Sequence, residues 1–447
     1  MNSLKLAWKN LTNKPLNMTL SLLLFALGVG MISLIFLVEK QVQEKFDKNL
    51  AGISMVLGAK GSPLQAILCN MYHVDSPNGN ILIKDVKPFM NPNHPLIETA
   101  IPLSLGDNYA GFRIVGTTQD YPKLYDVKVK EGKVWEKTFE ASIGADVARI
   151  ANLKIGSTFF SSHGLLNDGV GGHEHGEFKV VGIFEKSNSV IDQLILANTE
   201  SIWEVHEHEE SPPAEASTED DHDHEGHDHD DHDHEGHDHD GHDHGAHSEE
   251  PTKPLREYED KEITALLLKF KQKGSKGNTG VTVMNMGRSI NENTSILAAL
   301  PAIEIPKFYD NMSIGEDFLR NIAYIIVLVS GLSIFISLFS SLKDRKYELA
   351  LMRVMGASPG KLFFLVILEG LLLAVIGYLI GIALSHLGMA IFSAQVQEKY
   401  HYAFSATRFL TEEVYLLGGA LLIGFLAAVI PAYQAFKTDI SETLTTS

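Results

Sequence analysis

Thirteen of the twenty histidines stand between His206 and His247. Eleven of them, His222, His224, His227, His229, His232, His234, His237, His239, His242, His244 and His247, alternate with Asp, Glu and Gly, and the block DHDHEGHDHD occurs twice without a change. Neutral imidazole is a ligand for zinc, copper and nickel, and interleaved carboxylates add oxygen ligands and negative potential. Residues 221–247 carry no apolar side chain larger than Ala246. Nothing there offsets the entropy of ordering, roughly 1–2 kcal/mol per residue, so the expectation is a disordered tether. On such a tether, H-x-H pairs gather around an ion in many registers. That predicts several exchangeable sites of moderate affinity and no tightly bound cofactor. Zinc is the first choice, with nickel or copper as alternatives; the absence of Met and Cys among the histidines argues against Cu(I). A plain spacer would use Ser, Gly, Glu or Pro and has no need of imidazoles. Weaker metal candidates are His206 and His208 before the tract, His173 and His175 in "GGHEHGEF", and His163 upstream of them.

The elements that carry these residues are set by charge and hydropathy. The formal charge is −19, but twenty acids fall between Glu204 and Glu250 with no Lys or Arg among them. The remainder is near neutral, so the acidity is local and says little about partners; nothing points to nucleic acid. The one cysteine, Cys69, excludes a disulfide framework and a multi-thiolate metal site, and reads as a small packed residue.

Four apolar stretches, 17–38, 322–342, 362–392 and 414–433, are long enough to cross a bilayer, which takes about 20 residues. The first is too long for a signal-peptide core and runs into the charged, helical "EKQVQEKFDKNL", so it is expected to be retained. Lys5, Lys9 and Lys14 before it, and Lys343, Arg345, Lys346, Arg353 and Lys361 between the second and third stretches, place both flanks in the cytoplasm. Residues 39–317, the tract included, and the loop 393–413 then lie outside, and the tail 434–447 inside. Between the first two spans, "FRIVGTT", "FKVVGIF", "DQLILAN" and "EITALLLKFK" read as strands and "ADVARIAN" as a helix. "GRSINENTSILAALPAIEIPKFYDNM" reads as a helix and linker. A disordered loop, 204–256, interrupts this domain between two expected strands. Its deletion should leave the fold intact, because closure entropy grows slowly with loop length. The expected fold class is therefore an α-helical four-span membrane bundle with an extracytoplasmic mixed α+β domain inserted between the first two spans.

"DRKYELALMRVMGASPGKL", 344–362, resembles the cytoplasmic coupling segment of the FtsX/MacB/LolC-E class of ABC-transporter permeases, where a pattern close to R-x-x-E-[IL]-[AG]-[IL]-x-[RK]-[AVS]-[ILM]-G-A-[ST] recurs. Arg345, Glu348, Leu349, Ala350, Leu351, Arg353, Met355, Gly356 and Ala357 fit that pattern. "PAYQAFKTDISETL" from Pro431 resembles the family's closing motif, "AWKNL" at 7–11 its amphipathic N-terminal helix, here 1–16, and "GADVARIANLKIGSTF" its MacB-like periplasmic core. The tract is a departure from the family pattern. Read physically, "KYELALMRVMGA" is an amphipathic helix stopped at Gly356, with Ser358 and Pro359 opening the next one. Leu349, Leu351, Met352 and Met355 would otherwise meet water, which argues for a protein partner. The resemblance implies that this partner is an ABC ATPase, and it implies a second copy or a related permease and a bacterial inner membrane. No G-x-x-x-x-G-K-[ST] occurs, and "GASPGKL" lacks its spacing and hydroxyl, so the chain is not expected to hydrolyse ATP itself.

Within the third stretch, Gly377 and Gly381 form G-x-x-x-G, equally suited to packing inside one subunit and to a dimer seam. Glu369 lies in the same run and is expected at the membrane interface or hydrogen-bonded to a neighbour. The functional expectation is a mechanically driven permease subunit linked to periplasmic zinc or another divalent metal, in contact with lipid and with a periplasmic metal-binding or lipoprotein partner. The alternatives are a lipoprotein-release or peptide/drug-efflux permease with the tract as an accessory buffer, and a metal-binding scaffold that transports nothing.

Overall fold

A computed structural model describes residues 3–12, 15–163, 172–207, 253–271, 279–400 and 404–437. The chain opens with α1 (Ser3–Thr12) and α2 (Pro15–Leu50), followed by β1 (Met55–Ala59), α3 (Pro63–Tyr72), β2 (Ile81–Leu82) and α4 (Ile83–Val86). Next come β3 (Ile97–Tyr109), β4 (Phe112–Thr117), α5 (Asp120–Leu124), β5 (Val129–Gly132), β6 (Glu140–Ile143) and α6 (Ala145–Ile150). They lead to β7 (Thr158–His163), β8 (Gly172–Phe184), β9 (Ile195–Ala197) and α7 (Thr199–Glu207). Beyond the tract lie β10 (Glu262–Ile263), β11 (Ala265–Phe270), α8 (Thr279–Asn293) and β12 (Ile296–Ala299). The chain closes with α9 (Pro301–Asp344), α10 (Lys346–Val354), α11 (Pro359–Tyr400) and α12 (Thr411–Phe436). It divides into two compact units, one of residues 1–46 and 306–447, the other of residues 47–305.

In the second unit the strands run in the order β12-β1-β11-β3-β4-β9-β6-β8-β5, with β7 pairing both β3 and β8. Most pairs are antiparallel; β4–β9 and β6–β8 are parallel, which makes the sheet mixed. β1 and β11 are near-continuous apolar runs because they are buried on both faces. One core packs Met55, Leu57, Leu266 and Leu268 against Val283 and Ile290 of α8. A second packs Ile114, Ile143, Phe178 and Val180 with Val147 of α6 and Ile202 and Val205 of α7. Cys69 is buried in α3, as its type suggests.

Three local readings are corrected. The stretch read as helix plus linker holds the end of α8, strand β12 and the start of α9. Ile296–Ala299 is too short to declare itself, and it becomes a strand by pairing with β1. Pro301 opens α9, where a missing N–H costs nothing. The interruption follows a helix, α7, in place of a strand: residues 204–207 form its last turn, held by buried Ile202 and Val205, and residues 255–257 form a 3-10 turn. The tract itself, and His208, lie outside the described residues.

In the first unit, among the described residues, four helices are long and apolar enough to cross a membrane: Met18–Leu50, Pro301–Asp344, Pro359–Gln397 and Thr411–Phe436. Each contains one expected apolar stretch and continues past it, because the flanking polar sequence keeps helical propensity. α11 and α12 pack with α9 and α2 through Phe25, Val29, Leu338, Leu373, Ala374 and Ala428. A Cβ on Gly377 would lie 2.6 Å from Phe25, and one on Gly381 would lie 2.8 Å from the Ala26 carbonyl oxygen. The G-x-x-x-G motif therefore brings α11 onto α2 of the same chain, which settles the choice between subunit packing and dimer seam in favour of packing.

Candidate functional site

α10 follows a one-residue break at Arg345, where the backbone leaves the helical region (φ −105°, ψ 13°). It ends as its sequence dictates. Gly356 takes φ +96°, its N–H bonds the Arg353 carbonyl, and the Ala357 N–H reaches back to Met352 at 2.9 Å. One face is fixed: Leu349 and Ala350 are buried in the first unit's core, with Met352 packed against it. The other face is bare. Tyr347, Leu351, Val354 and Met355 are all exposed, Met355 to 72%. Within the expected coupling set, Leu351, Met355, Glu348 and Gly356 lie on that open side, whereas Leu349 faces inward and Arg345, Arg353 and Ala357 are half-buried. Tyr347 and Val354 belong to the open face and were not singled out by the motif.

The root of α10 is held by a buried polar cluster. Arg345 Nη1 lies 3.5 Å from Glu369 Oε1 on α11, and Arg345 Nε lies 3.6 Å from Glu348. Asn10 Nδ2 of α1 donates to the same Glu369 oxygen at 2.6 Å. Glu369 thus has two partners, and α1, α10 and α11 share one junction. An ionised carboxylate among apolar helices is tolerable only when so paired.

A second buried cluster escaped the sequence reading. Glu413 of α12 lies 3.2 Å from His386 Nε2 on α11 and accepts the Ser33 hydroxyl of α2 at 2.8 Å. Its other oxygen accepts the Leu410 N–H at 3.0 Å. His386 Nδ1 donates to the Ala406 carbonyl at 2.6 Å, which fixes the ring. The one available signal was an isolated His inside an apolar run, in "ALSHLGMA".

Among the weaker metal candidates, His206 sits in the last turn of α7, its Nε2 3.5 Å from Oδ1 of buried Asp107 on β3. His163 ends β7, where the register sets it opposite Asp107; His173 and His175 stand at the start of β8. Among the described residues no three His, Cys, Asp or Glu converge as a metal cluster.

Residues 321–440 match the FtsX-like permease C-terminal model, and residues 18–214 match the MacB-like periplasmic core domain model. The uncharacterized ABC transporter permease YknZ of Bacillus subtilis (strain 168) is 29% identical over 135 residues, 30% of this chain and 32% of the relative, so the match spans about a third of that relative's length. The periplasmic region of MacB from Actinobacillus actinomycetemcomitans aligns with 60% of this chain and 98% of its own, at 11% identity and a TM-score of 0.30.

Proposed function

We propose a role from one premise: this chain is an FtsX/MacB-like ABC transporter permease. It works as the membrane subunit of a bacterial inner-membrane system whose ATP is hydrolysed by a separate ATPase, and two permease copies or related permeases share two ATPases. The observation that carries the reading is α10. A helix that buries Leu349 and Ala350 in its own bundle while presenting Tyr347, Leu351, Val354 and Met355 outward is built to dock against a second protein. Its basic neighbours Lys343, Lys346 and Lys361 favour the cytoplasmic side, where ATP is.

Force applied to α10 passes to the bundle by two routes. Leu349 and Met352 press on apolar neighbours, and the Arg345–Glu369–Asn10 junction ties the helix root to α11 and α1. α2 and α9, at 36 and 44 residues, are longer than the roughly 20 residues a bilayer needs. Movement at one end is therefore carried along continuous helix. The work delivered is mechanical and linked to periplasmic zinc or a related divalent metal, with the histidine tract as the element that captures the ion.

The test is a substitution on the open face. Leu351→Glu and Met355→Glu should abolish co-purification of the ATPase and lose its permease-dependent turnover, with the yield of folded permease unchanged. Retention of both ATPase binding and turnover in the double variant would overturn the assignment.

A further inference from the structure

We propose that the first half of β3 is a docking edge for a separate polypeptide, an extended segment with an acidic residue that joins the sheet as an added strand. β3 is thirteen residues long, and β11 pairs with it over residues 97–103. On its other side β4 pairs only with residues 103–109, because β4 ends at Thr117 opposite Leu103 and the chain then turns into α5. Among the described residues, 97–102 therefore have a neighbouring strand on one side alone.

Two hydrogen bonds fix which way the backbone groups of this half point. The Leu103 carbonyl, on the β11 side, accepts the Thr264 N–H at 2.8 Å, and the Pro102 carbonyl, on the β4 side, accepts the Thr117 hydroxyl at 2.7 Å. Backbone groups alternate in direction along an antiparallel strand, so the Ala100 N–H and C=O face the side that β4 vacates. Such an edge is a template for another chain. Pro102 has no N–H to offer and ends the donor row, which keeps the added strand short.

A cleft of about 640 Å³ lies along this edge, within the range of about 300–1,000 Å³ usual for ligand sites. Thr99 and Ala100 line it with Thr118 and Leu124, and Met90 and Leu255 add apolar surface. Thr118 Oγ1, the first side-chain oxygen past β4, is buried there without a hydrogen-bond partner. Three cations line the cleft. Lys123 pairs with Asp120 at 3.0 Å and Lys269 with Glu98 at 2.9 Å, whereas among the described residues no carboxylate pairs with Arg256. An acidic side chain would give Arg256 a charge-assisted partner. A small anion would satisfy Arg256 and leave Ala100 unpaired; an extended peptide serves both, its backbone on Ala100 and its carboxylate on Arg256.

The experiment uses the full chain in detergent and, as probe, a fluorescein-labelled hexapeptide of alternating valine and glutamate. Fluorescence anisotropy measures its affinity, and amide exchange locates it. The expected result is saturable binding that slows exchange at Ala100. The same peptide N-methylated at every residue should bind at least about tenfold more weakly, having lost its donors. Arg256→Glu should weaken the valine–glutamate peptide by at least about tenfold and favour a valine–lysine one in its place. No binding, equal binding of the N-methylated peptide, or binding without protection at Ala100 overturns the proposal. Exchange is also measured on a chain lacking residues 221–247. Faster exchange at Ala100 in that variant would assign the edge to the chain's own acidic tract and overturn docking of a separate partner. The ATPase-docking reading is untouched by any of these outcomes, because α10 belongs to the other unit.

Discussion

Glu369 and Glu413 are carboxylates inside apolar helices, and each persists because several partners meet it. Glu369 is held by Asn10 and Arg345, and Glu413 by Ser33, His386 and the Leu410 N–H. Replacing Glu369 by Leu strips Arg345 of its buried partner, a loss of about 3–5 kcal/mol for a broken buried pair. Amide exchange in Ser3–Thr12 of the intact chain should then rise sharply, as α1 loses its anchor on α11; unchanged protection would place the anchor elsewhere. His73 supports a second prediction in the other unit. Burial, with Arg113 adding to it, pushes its pKa well below the usual value of 6.5. Its Nε2 is 2.7 Å from the Tyr121 hydroxyl, and its Nδ1 is buried without a hydrogen-bond partner. The unfolded chain therefore takes up a proton at this site before the folded one does. The contribution is complete above pH of about 6.5 and is lost as pH falls below it, by up to about 1.4 kcal/mol per pH unit. His73→Phe should flatten that acid-side fall in the exchange protection of α3. That Glu369 needed a partner was legible from its place in an apolar run. Which partners it has was not, since Asn10 lies 359 residues away and only the fold joins them.

At the scale of elements, α10 was the most legible piece: its amphipathic pattern, the stop at Gly356 and Pro359 opening α11 all appear where the sequence places them. Local chemistry decides helix ends. Gly356→Val places a β-branched residue at φ +96°, and it should cost about 1–3 kcal/mol and lower ATPase stimulation by blurring the end of α10. β12 and α7 were not legible. Both are short, and each is specified by what it packs on: β12 by its ladder with β1, α7 by the core that takes Ile202 and Val205. The role of Gly377 and Gly381 was left open by sequence for the same reason, because the motif states close approach without stating the neighbour. With α2 as that neighbour, Gly381→Val should destabilise the bundle by about 1–3 kcal/mol of overpacking, and the matched Gly418→Val, with open space around it, should not. Thermal denaturation of the two purified variants distinguishes them.

At the scale of the whole molecule, the chain joins a helical unit, whose short amphipathic α10 leaves one apolar face exposed, to a mixed-sheet unit that carries the histidine tract, and the long helices of the first follow from hydropathy alone. The second was legible as α+β, but its strand order was not, since pairs such as β1–β11 and β3–β7 close loops whose length leaves no trace in local sequence. The account's central claim is that a separate ATPase drives this permease and that metal on the tract is an input to the cycle. The most direct measurement is ATPase turnover of the reconstituted permease–ATPase complex across a zinc titration, comparing the intact chain with one lacking residues 221–247. The account predicts a folded, ATPase-competent deletion variant and a zinc-dependent change in turnover that only the intact chain shows. Equal responses in the two chains, or no response in either, would contradict it and reduce the tract to a passive metal store.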